Sequence, residues 1–143
     1  MNFMSDKCFV DTNILVYTQD LAAGDKCSRA QALTRELWED RRGVISTQVL
    51  QELYVALRRK LKSPISAAEA AEILRDYSEW DVVVNNRESI FRAIDIETRF
   101  KISFWDALIL QAAETAGAKT IFSEDLSHGT RYAGMQVVNP FIA

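Results

Sequence analysis

Four acids in the chain stand where a carboxylate is hard to explain by chance: Asp11 directly after the apolar run "KCFV", Glu52 inside "QVLQELYVALRRKL", Asp106 inside "KISFWDALILQAAETAG", and Asp125 just past "KTIFS". Asp106 is the least comfortable. Its neighbours Phe104, Trp105, Ala107, Leu108, Ile109 and Leu110 predict a helix buried on most faces, and an ionised carboxylate removed from water without a partner costs several kcal/mol. Cap chemistry offers one account, since Ser103 and Asp106 fit a capping box and negative charge suits a first helical turn. By the same logic Asp11 caps the segment after it, Glu52 is a solvated flank and Asp125 a turn residue. If instead the four converge, electrostatics dictates the chemistry. Two carboxylates about 5 Å apart repel by roughly 3 kcal/mol at an effective dielectric near 20. Such a cluster must protonate, swell or take up a cation. Neither Lys nor Arg adjoins Asp11, Asp106 or Asp125. All-oxygen surroundings select a hard divalent ion, Mg²⁺ or Mn²⁺. Zinc is disfavoured by a single His and two separated Cys.

Convergence requires elements that bring the four together. "KCFV" (7–10) reads as a strand, "ILVYTQ" as one or two helical turns, and 25–40 as a helix through Ala30, Leu33, Leu37 and Trp38. Gly43 breaks the chain before a strand at 44–46. Residues 48–61 repeat apolar groups on one broad helical face. Ser66 and Glu69 predict a capping box for a helix through Tyr77, and "WDVVV" (80–84) a strand. Asn85 and Glu88 are expected to cap a helix over 86–100, the "SFWDALI" helix runs on to Gly117, and 119–123 and 135–139 read as strands. Short apolar strands alternating with helices predict an α/β fold: a three-layer sandwich with a mostly parallel central sheet and helices on both faces. In such sheets ligands bind beyond the carboxyl ends of the strands. Asp11 and Asp125 fall there directly, and the helices bearing Glu52 and Asp106 can point their amino ends to the same rim.

At 143 residues, 48% hydrophobic and 26% charged, the chain is expected to form a single domain spanning 1–143. A net charge of −3 argues against a global positive field for nucleic acid, though not against local basic patches. No apolar run approaches the length of a membrane span, and "MNFMSDKCFV" lacks the regions of a signal peptide. Cys8 and Cys27 read as free buried thiols in a reducing, cytoplasmic setting.

"FVDTNILVY" (9–17), "STQVLQELY" (46–54), "SFWDALILQAA" (103–113) and "TIFSEDLSHG" (120–129) resemble, in order, the four acid-bearing motifs of the PIN domain. "GMQVVNPF" (134–141) resembles the last strand of its bacterial, VapC-like toxin members. The resemblance runs from residue 8 to 141. It implies a metal-dependent endoribonuclease, in bacteria the toxin of a toxin–antitoxin pair, with Asp11, Glu52, Asp106 and Asp125 as the acidic cluster holding Mg²⁺ or Mn²⁺. Asn13 and Ser123 match polar positions that orient the acids. Asp11 and Asp106 are expected to ligate directly, with Glu52 and Asp125 acting through waters or as a base. The chain departs from the family after Asp125, where Leu126, Ser127 and His128 replace a further acid and an aromatic. The resemblance also implies a homodimer and a cognate antitoxin partner.

An acidic pocket repels RNA phosphates, so flanking cations are wanted. Arg41 and Arg42 at a helix–strand turn, and Arg58, Arg59 and Lys60 along the second long helix, are the candidates, against the reading that "RRK" is a solvated face. His128 is weighed as a proton donor and read rather as an exposed loop residue. Trp105 is weighed as a base-stacking group and read rather as core packing. Other functions compatible with the acids are a non-cleaving RNA-binding relative, an aspartyl phosphatase, and a phospho-accepting receiver domain. The phosphatase reading lacks a second acid at Asn13, and the receiver reading lacks paired acids in the first loop.

Overall fold

The computed structural model of the chain describes residues 6–142; Met1–Ser5, the start of the segment read for a signal peptide, and Ala143 lie outside them. The elements follow in the order β1 (Cys8–Val10), α1 (Thr12–Tyr17), a single 3₁₀ turn (Leu21–Ala23), α2 (Asp25–Asp40), β2 (Gly43–Ser46), α3 (Thr47–Arg59), α4 (Ala67–Tyr77), β3 (Asp81–Val83), α5 (Arg87–Phe100), α6 (Phe104–Thr115), β4 (Thr120–Phe122), β5 (Arg131–Tyr132) and β6 (Met135–Val138). One sheet has the strand order β3-β2-β1-β4-β6-β5. Every pairing is parallel except the terminal β5–β6 pair. The expected α/β architecture with a mostly parallel sheet is therefore the one formed.

Right-handed crossovers put the connections from β1 to β2 and β2 to β3 on one face, and the reversed crossover from β3 to β4 on the other. The helices α1 to α4 thus pack as one layer and α5 with α6 as the second, consistent with their mutual contacts. Between the layers the central strands are apolar on both sides. Phe9, Val10, Val44, Ile45, Ile121 and Val137 have no exposure and pack with Leu53 and Leu57 of α3 and Leu110 of α6 in one continuous core. Strand order reverses between β1 and β4, so a crevice opens past their carboxyl ends.

Local chemistry sets the helix starts. Ser46, Ser66 and Ser103 cap α3, α4 and α6, each accepting from an amide one turn on. The start of α5 differs from expectation: the reciprocal box joins Asn86 and Ser89, not Asn85 and Glu88. Asn85 is withdrawn because its Oδ1 accepts from Gln111 Nε2 of α6 at 2.8 Å. Gly43 does not break the chain but opens β2, paired with Cys8.

Candidate active site

Asp11 is the N-cap of α1 and is buried at 7% exposure, with Oδ1 accepting from the Thr12 amide at 2.8 Å and Oδ2 from Ser123 Oγ at 2.8 Å. Capping and site-building are thus one role. Ser123, which follows β4 and is fully buried, also accepts from the amides of Asp125 and Leu126 at 3.2 and 3.1 Å, which turns the chain and turns Asp125 outward. Asn13 Nδ2 then donates to Asp125 Oδ2 at 2.8 Å. The loops after β1 and β4 therefore hold each other at the switch point.

The other two acids arrive from the helical layers. Glu52, two turns into α3, is exposed; its Oε1 accepts from Thr12 Oγ1 at 2.8 Å and its Oε2 from Gln48 Nε2 at 3.4 Å. Asp106 is half-buried in the first turn of α6. Its amide donates to Ser103 Oγ at 3.1 Å, the forward half of the expected capping box. Among the described residues its carboxylate accepts no hydrogen bond, so the reciprocal half is missing and the charge is left to the cleft. All four acids line one open cleft of about 440 Å³, together with Asn13, Gln48, Gln51, Val55, Lys60 and Trp105.

The charges sense one another. Burial raises the Asp11 pKa to about 6, with the Asp125 and Glu52 charges adding to the push and the Ser123 and Thr12 hydrogen bonds opposing it. Asp125 is raised by partial burial, then by Asp106, Glu124 and Glu52, with Lys60 pulling the other way. Among the described residues none of the four acids is in an ion pair, whereas Glu124, beside Asp125, is paired with Lys26 and accepts from Tyr17 Oη at 2.7 Å. A row of carboxylates without a matching cation is a donor set for a hard divalent ion, and no His or Cys lines the cleft to favour a softer one. All four side chains offer oxygen donors of the kind a hard divalent ion takes. They do not form a closed cage: among the described residues no three His, Cys, Asp or Glu side chains stand close enough to grip one ion. An ion held here would have to complete its coordination with water.

The candidate cations divide. Lys60, the C-cap of α3, lines the cleft. Arg58 is exposed with Nη1 donating to the Ile65 carbonyl at 3.2 Å, and Arg59 is exposed; neither lines the cleft. Arg41 and Arg42 are not brought to it at all. They precede β2, so they lie at the amino edge of the sheet, where Arg42 is occupied by Asp40 and Glu36 and Arg41 lines a separate hollow with Trp80. In a parallel sheet every helix-to-strand turn falls on that edge. His128 is exposed and outside the cleft; its Nδ1 accepts from the Asn139 amide at 3.0 Å, tying the loop to β6. Trp105 is not core: it is 63% exposed at the cleft.

Sequence reasoning passed over Thr12, Gln48 and Glu124. Gln48 stands four residues before Glu52, a spacing that pairs an amide with an acid on a helix, and Thr12 lies within the quoted "DTN". Glu124 gave no signal, because its partners Lys26 and Tyr17 are 98 and 107 residues away.

Comparison with known proteins agrees with this fold. The model of the PIN domain family matches residues 8–129. Among solved structures, the chain is similar to Mycobacterium tuberculosis VapC20, described as a Sarcin-Ricin loop cleaving toxin, at 23% identity and TM-score 0.65 over 83% of this chain and 92% of that one. It is similar to a chain of a toxin–antitoxin complex from Klebsiella pneumoniae at 18% identity and TM-score 0.69 over 94% and 98% of the two chains. A third similar structure is VapBC2 from Rickettsia felis bound to a promoter DNA fragment, at 19% identity and TM-score 0.59 over 91% and 96%. No curated protein sequence matches the chain.

Proposed function

The chain belongs to the PIN domain family, and from that premise we propose that it is a metal-dependent endoribonuclease, the toxin of a bacterial toxin–antitoxin pair. The observation that carries this reading is the arrival of Asp11, Glu52, Asp106 and Asp125, from four separate segments, at one cleft on the switch point, with no cation among the described residues paired to any of them. Asp11 and Asp106 would hold the ion directly, with Glu52 and Asp125 acting through water or as a base. When bound, Mg²⁺ or Mn²⁺ supplies a water acidic enough to attack a phosphodiester near neutral pH and offsets charge on the phosphoryl oxygens.

The chain's own groups set the stage for that attack. Ser123 and the Thr12 amide hold Asp11 in one orientation, Thr12 Oγ1 holds Glu52, and Asn13 holds Asp125. Lys60 is the cation available in the cleft wall for a flanking phosphate. The phosphatase alternative is weakened because Asn13, where that chemistry wants an acid, is committed to Asp125. A second copy of the chain and a cognate antitoxin are the protein partners of this reading. Ile90, Phe91 and Ile94 form an exposed apolar stripe on α5 available to one of them. No helix of the described residues is long and apolar enough to cross a membrane, and the two free, buried cysteines suit a reducing cytoplasm.

The test is cleavage of mixed RNA by the purified protein with Mg²⁺, with Mn²⁺ and with chelator, beside Asp106→Asn. This variant is the cleanest because the carboxylate supports no hydrogen bond that its loss would break. Loss of activity on chelation, and a fall of at least about 100-fold in the variant, are expected. Cleavage that persists in chelator overturns the proposal.

A further inference from the structure

Trp105 is a large apolar side chain left 63% exposed beside a row of carboxylates. It is not held loosely. Its carbonyl accepts from Gln48 Nε2 at 3.2 Å, and Gln48 is itself only 5% exposed. The Gln48 amide can face only one way, because its NH₂ meets two acceptors, the Trp105 carbonyl and Glu52. The Trp105 ring meets Phe104 in a T-shaped contact, with centroids 5.3 Å apart and planes at 78°, and most of the side chain stays open to solvent. It therefore stands as a preset surface one residue from Asp106.

The cleft itself says what such a surface can take. Its acids repel phosphate, so binding energy beyond that from an ion has to come from uncharged contact. Stacking on an aromatic ring supplies it, and every nucleobase has a face to offer. Bases inside a duplex do not present that face. Among the cleft-lining residues the only other exposed large apolar side chain is Val55, too little for the apolar core of a broad protein interface. Lys60 adds one cation for a phosphate next to the stacked base.

We propose that Trp105 is a positioning residue, the stacking platform for an unpaired nucleobase adjacent to the phosphodiester in the acidic cleft, with Lys60 on a neighbouring phosphate. The proposal rests on the ribonuclease reading above and adds to it the side chain that seats the base.

Binding is measured by fluorescence anisotropy of a labelled, unstructured ten-nucleotide RNA in Mg²⁺, in the Asp106→Asn background so that the probe stays intact. Trp105→Ala weakens binding about 5- to 150-fold, and Trp105→Phe restores most of it. The same RNA carrying abasic sites, and a duplex of the same sequence, bind more weakly and are insensitive to Trp105→Ala. Because the side chain is largely exposed, the thermal melt of the Ala variant is expected to match that of its parent. Equal affinities with and without the indole overturn the proposal, as does an equal loss on the duplex or abasic probes, or no RNA binding at all. A fall in sedimentation mass on Trp105→Ala with unchanged RNA affinity assigns the ring to protein contact and also overturns it. If wild-type protein cuts RNA while Trp105→Ala leaves affinity intact, this inference fails alone. If no RNA is cut yet the indole governs single-strand affinity, the ribonuclease reading fails and the platform stands.

Discussion

A serine hydroxyl has one proton to give and two lone pairs to receive, and Ser123 uses all three: it donates to Asp11 and accepts from the Asp125 and Leu126 amides, with no exposure to water. Ser123→Ala therefore leaves two amides without their acceptor and removes the bond that most strongly opposes the burial-driven rise of the Asp11 pKa. Each unsatisfied buried group costs about 1–3 kcal/mol. The variant is expected to melt at lower temperature. Its acid limb of cleavage against pH is expected to move upward, because Asp11, already raised to about 6, would hold its proton to still higher pH. A lowered melt with an unmoved pH limb would reduce Ser123 to a turn residue. The sequence reading chose Ser123 from a resemblance alone. Its threefold bonding depends on β1 and β4 being neighbours in the sheet, which no local pattern announces.

Elements were legible wherever a periodic apolar face or a cap marks them. The spans read for α2, α4 and β6 differ from those formed by a residue or less at either end, because Leu33 and Leu37, the Ser66 cap and the apolar run "MQVV" each carry their own signal. The two-residue strand β5 carries no local signal, since Arg131 and Tyr132 pair with β6 through a tight turn in which Ala133 and Gly134 both take positive φ, 48° and 84°. Arg41 and Arg42 precede β2 and so stand at the edge opposite the cleft, as the rule that places ligands past strand carboxyl ends requires of a helix-to-strand turn. Gly43 matters not as a breaker but for its missing side chain. A Cβ there would sit 2.5–2.7 Å from the Trp80 ring, which is packed against Tyr77 and Trp38. Gly43→Ala is accordingly expected to destabilise by about 1–3 kcal/mol through overpacking, read as a lower denaturant midpoint. Since Gly43 opens β2 at the amino edge of the sheet, away from the cleft, RNA affinity should fall no further than the loss of folded protein explains. An unaltered midpoint would mean that the indole shifts without strain.

On the proposed reading the acids make stability depend on pH and on a divalent ion together. Asp11 has a folded pKa of about 6 against 3.8 in the unfolded chain. The folded form thus binds its proton more tightly, and this group's stabilising contribution is complete below about pH 4 and lost as pH rises through about 6. The difference corresponds to roughly 3 kcal/mol of stability given up by neutral pH. Asp125 is shifted in the same direction and acts in the same sense. A divalent ion at the proposed site would reverse the balance, because it would bind the deprotonated carboxylates, and at 100 times its dissociation constant it would restore about 2.7 kcal/mol. Saturating Mg²⁺ should therefore raise the calorimetric midpoint by about 5–10 °C at pH 7.5. At pH 5, where Asp11 keeps its proton and competes with the ion, the rise should be much smaller. Asp106→Asn should reduce the rise at pH 7.5 without restoring the charge cost at Asp11, so its metal-free midpoint at pH 7.5 should equal or exceed the wild-type value. A midpoint shift by Mg²⁺ that is equal at the two pH values, or that survives Asp106→Asn unchanged, would place the ion elsewhere on the molecule. The convergence of the four acids would then lose the physical reason given for it.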